Sequence, residues 1–121
     1  MSVASYRDLI AWQKAMDVVT EVYRLTESFP SREQFGLTNQ ARRAAVSVPS
    51  NIAEGQGRNT TKDYIHFLRI SRGSLQELET QLMIGQRLGF ADAAVTDTLL
   101  AKTTEVSRII SGLINSLSSK L

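Results

Sequence analysis

Gln40, Arg43, Ser47, Asn51 and Glu54 recur at intervals of three or four residues within QARRAAVSVPSNIAEGQGR, residues 40–58. Such intervals place side chains on one stripe of an α-helix. A stripe carrying a guanidinium, a hydroxyl, an amide and a carboxylate has the ingredients of either an acid–base site or an interhelical polar network. Glu77, on a later segment, is available as a further carboxylate. Asp63-x-x-His66 has the spacing of half the carboxylate–histidine motif of di-iron helical bundles. Arg42, Arg43, Arg58, Lys62, Arg69 and Arg72 make the middle of the chain basic, with only Glu54 and Asp63 as acids between residues 42 and 72.

The catalytic readings fail for want of partners. A di-iron site needs a second histidine motif and two more carboxylates, and His66 is the only histidine. With no cysteine in the chain, disulfides, thiolate metal sites and a cysteine nucleophile are excluded. No phosphate loop of the form G-x-x-x-x-G-K-[ST] and no G-x-S-x-G elbow is present, and Gly55-Gln56-Gly57 leads into a polar turn with no preceding strand. Glu77 and Glu79 point to different sides of a helix. The sequence therefore reads as non-enzymatic, with no cofactor, metal site or small-molecule substrate. What remains is the set Arg42, Arg58, Lys62, Arg69 and Arg72. These cations suit phosphate oxygens, and no aromatic platform for stacking bases is interleaved with them.

The elements that must position these groups are helices. Gly and Pro number only 7 and 2 in 121 residues, which favours a few long helices over many short strands. Hydrophobic residues at 42% and charged residues at 21% fit one globular domain with a core. The formal charge of +2 is close to neutral, so the local distribution matters more than the total. The opening MSVASYRDLIAW lacks the features of a signal peptide, and no run approaches a membrane span; a bacterial-type soluble cytoplasmic protein is the expectation.

Apolar periodicity predicts four helices over about 6–28, 37–56, 61–88 and 92–118, and their short connections predict an antiparallel up-down four-helix bundle. On the first, Leu9, Trp12, Met16, Val19, Tyr23 and Thr26, widened by Ala15, Val22 and Phe29, form the expected core stripe. On the second it is Leu37, Ala41, Ala44, Ala45, Val48, Ile52 and Gly55. On the third, Tyr64, Leu68, Leu75, Leu78 and Leu82 are in register with Ser71 and Gly85. On the fourth, Val95, Leu99, Val106, Ile110, Leu113 and Leu117 follow the same alternation. Ser31 with Gln34 has capping-box spacing. One of Asn59, Thr60 and Thr61 caps the third helix and Asp92 the fourth. Gly55 and Gly57 are available to close the second helix, and Gly89-Phe90 the third.

Pro49 lies inside the second helix, where it predicts a kink and frees carbonyls near Ala45 and Val46. Ser47, Ser50 and Asn51 can satisfy such groups. Arg43 is expected to reach Glu77 and Glu54 to reach Arg72, with Gly73-Ser74 permitting close helix approach. Gln40, Arg43, Ser47, Asn51, Glu54 and Glu77 thus read as a structural polar network. The outer side of the same helix, Arg42, Val46, Pro49 and Ala53, is small and apolar for a solvated back. It is expected to lie centrally in the bundle or against another subunit.

Four blocks, YRDLIAWQKAMDVV, FPSREQFGLTNQARRAAVSVPSNIAEG, KDYIHFLRISRGSLQELETQL and the closing apolar helix, resemble the 23S rRNA intervening-sequence protein family in order and over nearly the whole chain. That family's relatives include the accessory variability determinant proteins of diversity-generating retroelements. The resemblance implies a four-helix bundle assembled as a ring-like homopentamer, and a role with structured RNA or a ribonucleoprotein. A protein-interaction scaffold that binds no nucleic acid is the alternative.

Overall fold

A computed structural model describes residues 5–121; the part of the leader reading that falls on residues 1–4 lies outside them. The described residues form four α-helices and no strand: α1 Ile10–Thr26, α2 Leu37–Gln56, α3 Thr61–Arg87 and α4 Ala93–Ser118. Short 3-10 turns occupy Tyr6–Asp8 and Ser31–Glu33. α1 packs on α2, α2 on α3, α3 on α4 and α4 on α1, and the diagonal pairs approach less closely. Each helix of this all-α bundle therefore has two neighbours and one outward side.

Local chemistry sets the ends. Thr60 Oγ1 accepts from the Asp63 N–H at 3.1 Å, and Asp92 Oδ2 from the Val95 N–H at 3.2 Å. A short turn starts at Ser31, as the Ser31–Gln34 spacing predicts, and the Gln34 N–H closes it on the Ser31 carbonyl at 3.1 Å. At the start of α2, Glu33 Oε1 accepts from the Leu37 N–H at 3.0 Å, placing a carboxylate at the positive end of the helix. The first helix starts at Ile10 because Leu9 is extended, at φ −73° and ψ 125°. Gly89, with φ 76°, ends α3, and the Phe90 N–H returns to the Gly85 carbonyl at 2.9 Å. Phe90 then meets Phe29 at a ring separation of 5.6 Å, and Ser28 Oγ donates to the Phe90 carbonyl at 2.8 Å. α2 closes differently from expectation: Gly57 is right-handed, at φ −81°.

The core is built from Ala11, Ala15, Val18 and Val22 of α1, Ala41, Ala45, Val48 and Ile52 of α2, four buried leucines of α3, and Leu99, Val106, Ile110 and Ile114 of α4. Each fully buried Leu or Ile contributes about 1.5–3 kcal/mol. The core line of α1 is rotated from the one expected. Its alanines and valines turn inward, so Met16 and Tyr23 remain 43% and 42% exposed at the α2 edge. Val95 is likewise exposed on α4.

α2 runs unbroken through the buried Pro49. Asn51 Nδ2 donates to the Ser47 carbonyl at 2.8 Å and to Ser47 Oγ at 2.9 Å, while Ser71 Oγ of α3 donates to the Val48 carbonyl at 2.8 Å. The side-chain donors thus serve Ser47 and Val48 rather than Ala45 and Val46. An asparagine folding back one turn reaches its own i−4 carbonyl, and Ser71 reaches whichever carbonyl faces α3. Close approach of α2 and α3 occurs at Gly55, not at Gly73. A Cβ on Gly55 would stand 2.8 Å from Phe67 Cβ, whereas one on Gly73 would meet nothing within 4 Å.

Candidate nucleic-acid interface

The polar stripe of α2 divides along its length. At its centre Ser47 and Ser74 share a hydroxyl–hydroxyl hydrogen bond of 2.8 Å, which joins α2 to α3 beside Asn51. The charged members do not bridge these helices. Glu54 pairs with Arg58 one turn away at 2.5 Å, and Glu77 accepts from Gln81 Nε2 at 3.2 Å. The Arg43 and Gln40 side chains are exposed and make no hydrogen bond among the described residues. The expected pairs Arg43–Glu77 and Glu54–Arg72 are therefore replaced. Arg72 lies about 140° around α3 from Glu77, on the edge toward α4, where it donates to Ser111 Oγ at 3.1 Å.

The cations separate in the same way. Arg42 is not outward. Its Nε donates to Thr26 Oγ1 at 2.9 Å, its Nη2 to the Tyr23 carbonyl at 3.3 Å, and its guanidinium lies 4.5 Å from the Tyr23 ring centroid. Arg42 thus satisfies the carbonyl end of α1, where a positive group complements the helix dipole. Arg58 stacks 4.5 Å from the Phe67 centroid while paired with Glu54, so its charge is largely offset.

Lys62, Arg69 and Arg72 remain on α3 with no ion pair among the described residues. Lys62 and Arg69 are exposed, seven residues apart and hence on one side of the helix. The contacts Arg72–Ser111 and Thr103–Glu79 set the register of α4 against α3. Continuing that register brings Arg108 to the level of Ser74 and Leu75, and Lys120, just past the end of α4, to the level of Lys62 and Asp63. Both are exposed and unpaired among the described residues. Arg108 was missed in the sequence reading. The available signal was the absence of any acidic side chain after Glu105.

The outer side of the α3–α4 pair therefore gathers four cations, Lys62, Arg69, Arg72 and Arg108, while Lys120 continues the line of Lys102, eighteen residues earlier, on the edge toward α1. The nearest carboxylate in sequence, Asp63, lies on the α2 edge of α3. Lysine and arginine in this arrangement attract phosphate oxygens without reading bases. His66 is exposed and edge-on to Phe67 at 5.7 Å, and no aromatic residue lies flat among the cations. No group of His, Asp and Glu among the described residues could hold a metal ion. Among the described residues, two groups titrate away from their ordinary values. The Glu105 carboxylate raises the Lys14 ammonium through a hydrogen-bonded pair of 2.7 Å between α1 and α4, and burial raises the Tyr64 phenol.

These features define an all-α bundle protein with a localised cationic face. The chain belongs to the 23S rRNA-intervening sequence protein family, whose model matches residues 7–112. Its fold is similar to that of a crystal structure described as a protein with unknown function from the S23 ribosomal protein family from Bacteroides thetaiotaomicron. The TM-score is 0.81 at 19% identity, over 87% of this chain and 98% of that one. No curated protein matches the chain. No helix among the described residues is long and apolar enough to cross a membrane.

Proposed function

We propose that the protein is a non-catalytic, homo-oligomeric accessory factor, a ring of five copies in the cytoplasm, that binds structured RNA or a ribonucleoprotein through the α3–α4 face. The observation that carries this reading is the grouping of Lys62, Arg69, Arg72 and Arg108 without a salt-bridge partner among the described residues. A net charge of only +2 is compatible with it, because a modest patch repeated around a ring sums its field. Arg42 and Arg58 leave the contact set, since their guanidiniums are engaged within the chain. The family's association with ribosomal RNA inserts points to RNA as the polyanion.

The test is binding to a structured RNA over a series of salt concentrations. Affinity should fall as salt rises, and Arg69→Glu should reduce the slope of log affinity against log salt by about 1. The Lys62→Glu/Arg69→Glu/Arg108→Glu variant should lose binding while its helical circular dichroism is unchanged. An assembled protein with no affinity at low salt would overturn the RNA reading and favour the scaffold.

A further inference from the structure

The outer side of the α1–α2 pair carries two adjoining depressions of about 360 and 590 Å³ that share Val46. Trp12, Met16, Tyr23 and Pro49 line them, and Phe35, 87% exposed, stands at one end. Their lining includes Arg42 and Arg43 and no carboxylate. On α2 they extend from Thr38 to Ala53, about 22 Å at 1.5 Å per residue.

The opposite chemistry lies on the adjoining face. Along the α2 edge of α3, Asp63, Ile70, Glu77 and Ile84 recur every seven residues, alternating acid and isoleucine. Ile70 and Ile84 are 40% and 42% exposed, and neither acid has an ion pair among the described residues. Ile70 and Ile84 are about 21 Å apart.

We propose that a second copy of this chain lays its α3 stripe along the α1–α2 groove, with Glu77 against Arg43. In that register the two isoleucines fall about 10 Å to either side of the ion pair, at the levels of Phe35 and Pro49. The cationic, aromatic groove and the acidic, aliphatic ridge match in charge, length and apolar content, and both belong to one chain. The contact is heterologous because groove and ridge are different surfaces. They share α2 as a common corner, so neighbours attach in directions roughly at right angles and a small ring closes. Opposite faces would give a filament. This assignment rests on the homo-oligomer reading and supplies its interface.

Light scattering after size exclusion tests it. The unaltered chain should be an oligomer. Arg43→Glu and Glu77→Arg should each raise the concentration at which it dissociates by about tenfold or more, and the double variant R43E/E77R should restore assembly. As a second measurement, the chain has no native cysteine, so Ser50→Cys chains mixed with Ile70→Cys or Ile84→Cys chains should cross-link in one of the two mixtures. Ser50→Cys alone should not. An oligomer indifferent to both reversals, failure of the double variant to reassemble, or cross-linking of Ser50→Cys to itself would overturn this interface and leave the oligomer standing. A monomeric unaltered chain would overturn both.

Discussion

Gly55→Ala and Gly73→Ala make the same chemical change in neighbouring helices and should move stability in opposite directions. Replacing glycine by alanine in an exposed helix interior gains about 1 kcal/mol, because less backbone freedom is lost on folding. Gly73 is exposed and its added Cβ would meet nothing within 4 Å, so this gain should appear in full. At Gly55 the added carbon would lie 2.8 Å from Phe67 Cβ, 3.1 Å from Tyr64 Cδ1 and 3.2 Å from the Tyr64 carbonyl oxygen. Two of these atoms are backbone or fixed directly to it, so relief requires α2 and α3 to separate rather than a side chain to rotate. Carbon atoms pack best at about 3.5–4.0 Å, and forced overpacking costs about 1–3 kcal/mol. Taking the upper end for a rigid neighbour and subtracting the helix gain leaves Gly55→Ala less stable by about 2 kcal/mol. The two variants should thus differ by about 3 kcal/mol, or two powers of ten in the unfolding constant. Urea unfolding at one fixed protein concentration measures this. A Gly55→Ala midpoint equal to or above that of the unaltered chain would refute the claim that glycine sets the α2–α3 distance.

Arg42→Ala should lower stability by about 1–2 kcal/mol in the same assay, through loss of the Thr26 and Tyr23 contacts, while leaving RNA affinity and its salt slope unchanged. A changed slope would return Arg42 to the binding face. Burial raises the Tyr64 phenol above its ordinary 10.0, so the folded state holds that proton more tightly than the unfolded chain. Its contribution is complete below pH 10 and is lost as pH rises through the folded value. Tyr64→Phe should therefore lessen the alkaline decline in stability above pH 10; an unaltered decline would place its cause elsewhere, the raised Lys14 included.

Apolar spacing alone located the helices, because leucine and alanine stripes at three and four residues leave few other ways to bury a chain. Caps were legible where a single side chain decides the end, as at Thr60 and Asp92. The start of α2 was not, because Glu33 reaches the Leu37 N–H from the preceding turn, outside the usual N-cap position. The Ser47–Asn51 cluster was legible as structural because polar groups inside a helix need local partners. Its charged extension failed, since sequence spacing gives the side of a helix but not the rotation of its neighbour. That rotation sends Arg72 toward α4 and Arg42 onto α1. Arg108 joins the cationic face only through the register of α4 against α3, which no feature of either helix alone specifies.

The small-hydroxyl contacts of Ser47, Ser71 and Ser74, together with the close approach at Gly55, join helices that follow one another directly in sequence. The seam between α1 and α4 instead brings distant parts of the chain together, and its ion pairs, Lys14–Glu105 at 2.7 Å and Lys102–Glu21 at 3.7 Å, are partly solvated. Closing a short loop loses less entropy than closing a long one, so the α2–α3 hairpin is suited to form early and to open last. The α1–α4 seam is then the natural place for the bundle to breathe, a hinge line on the edge farthest from the serine contacts.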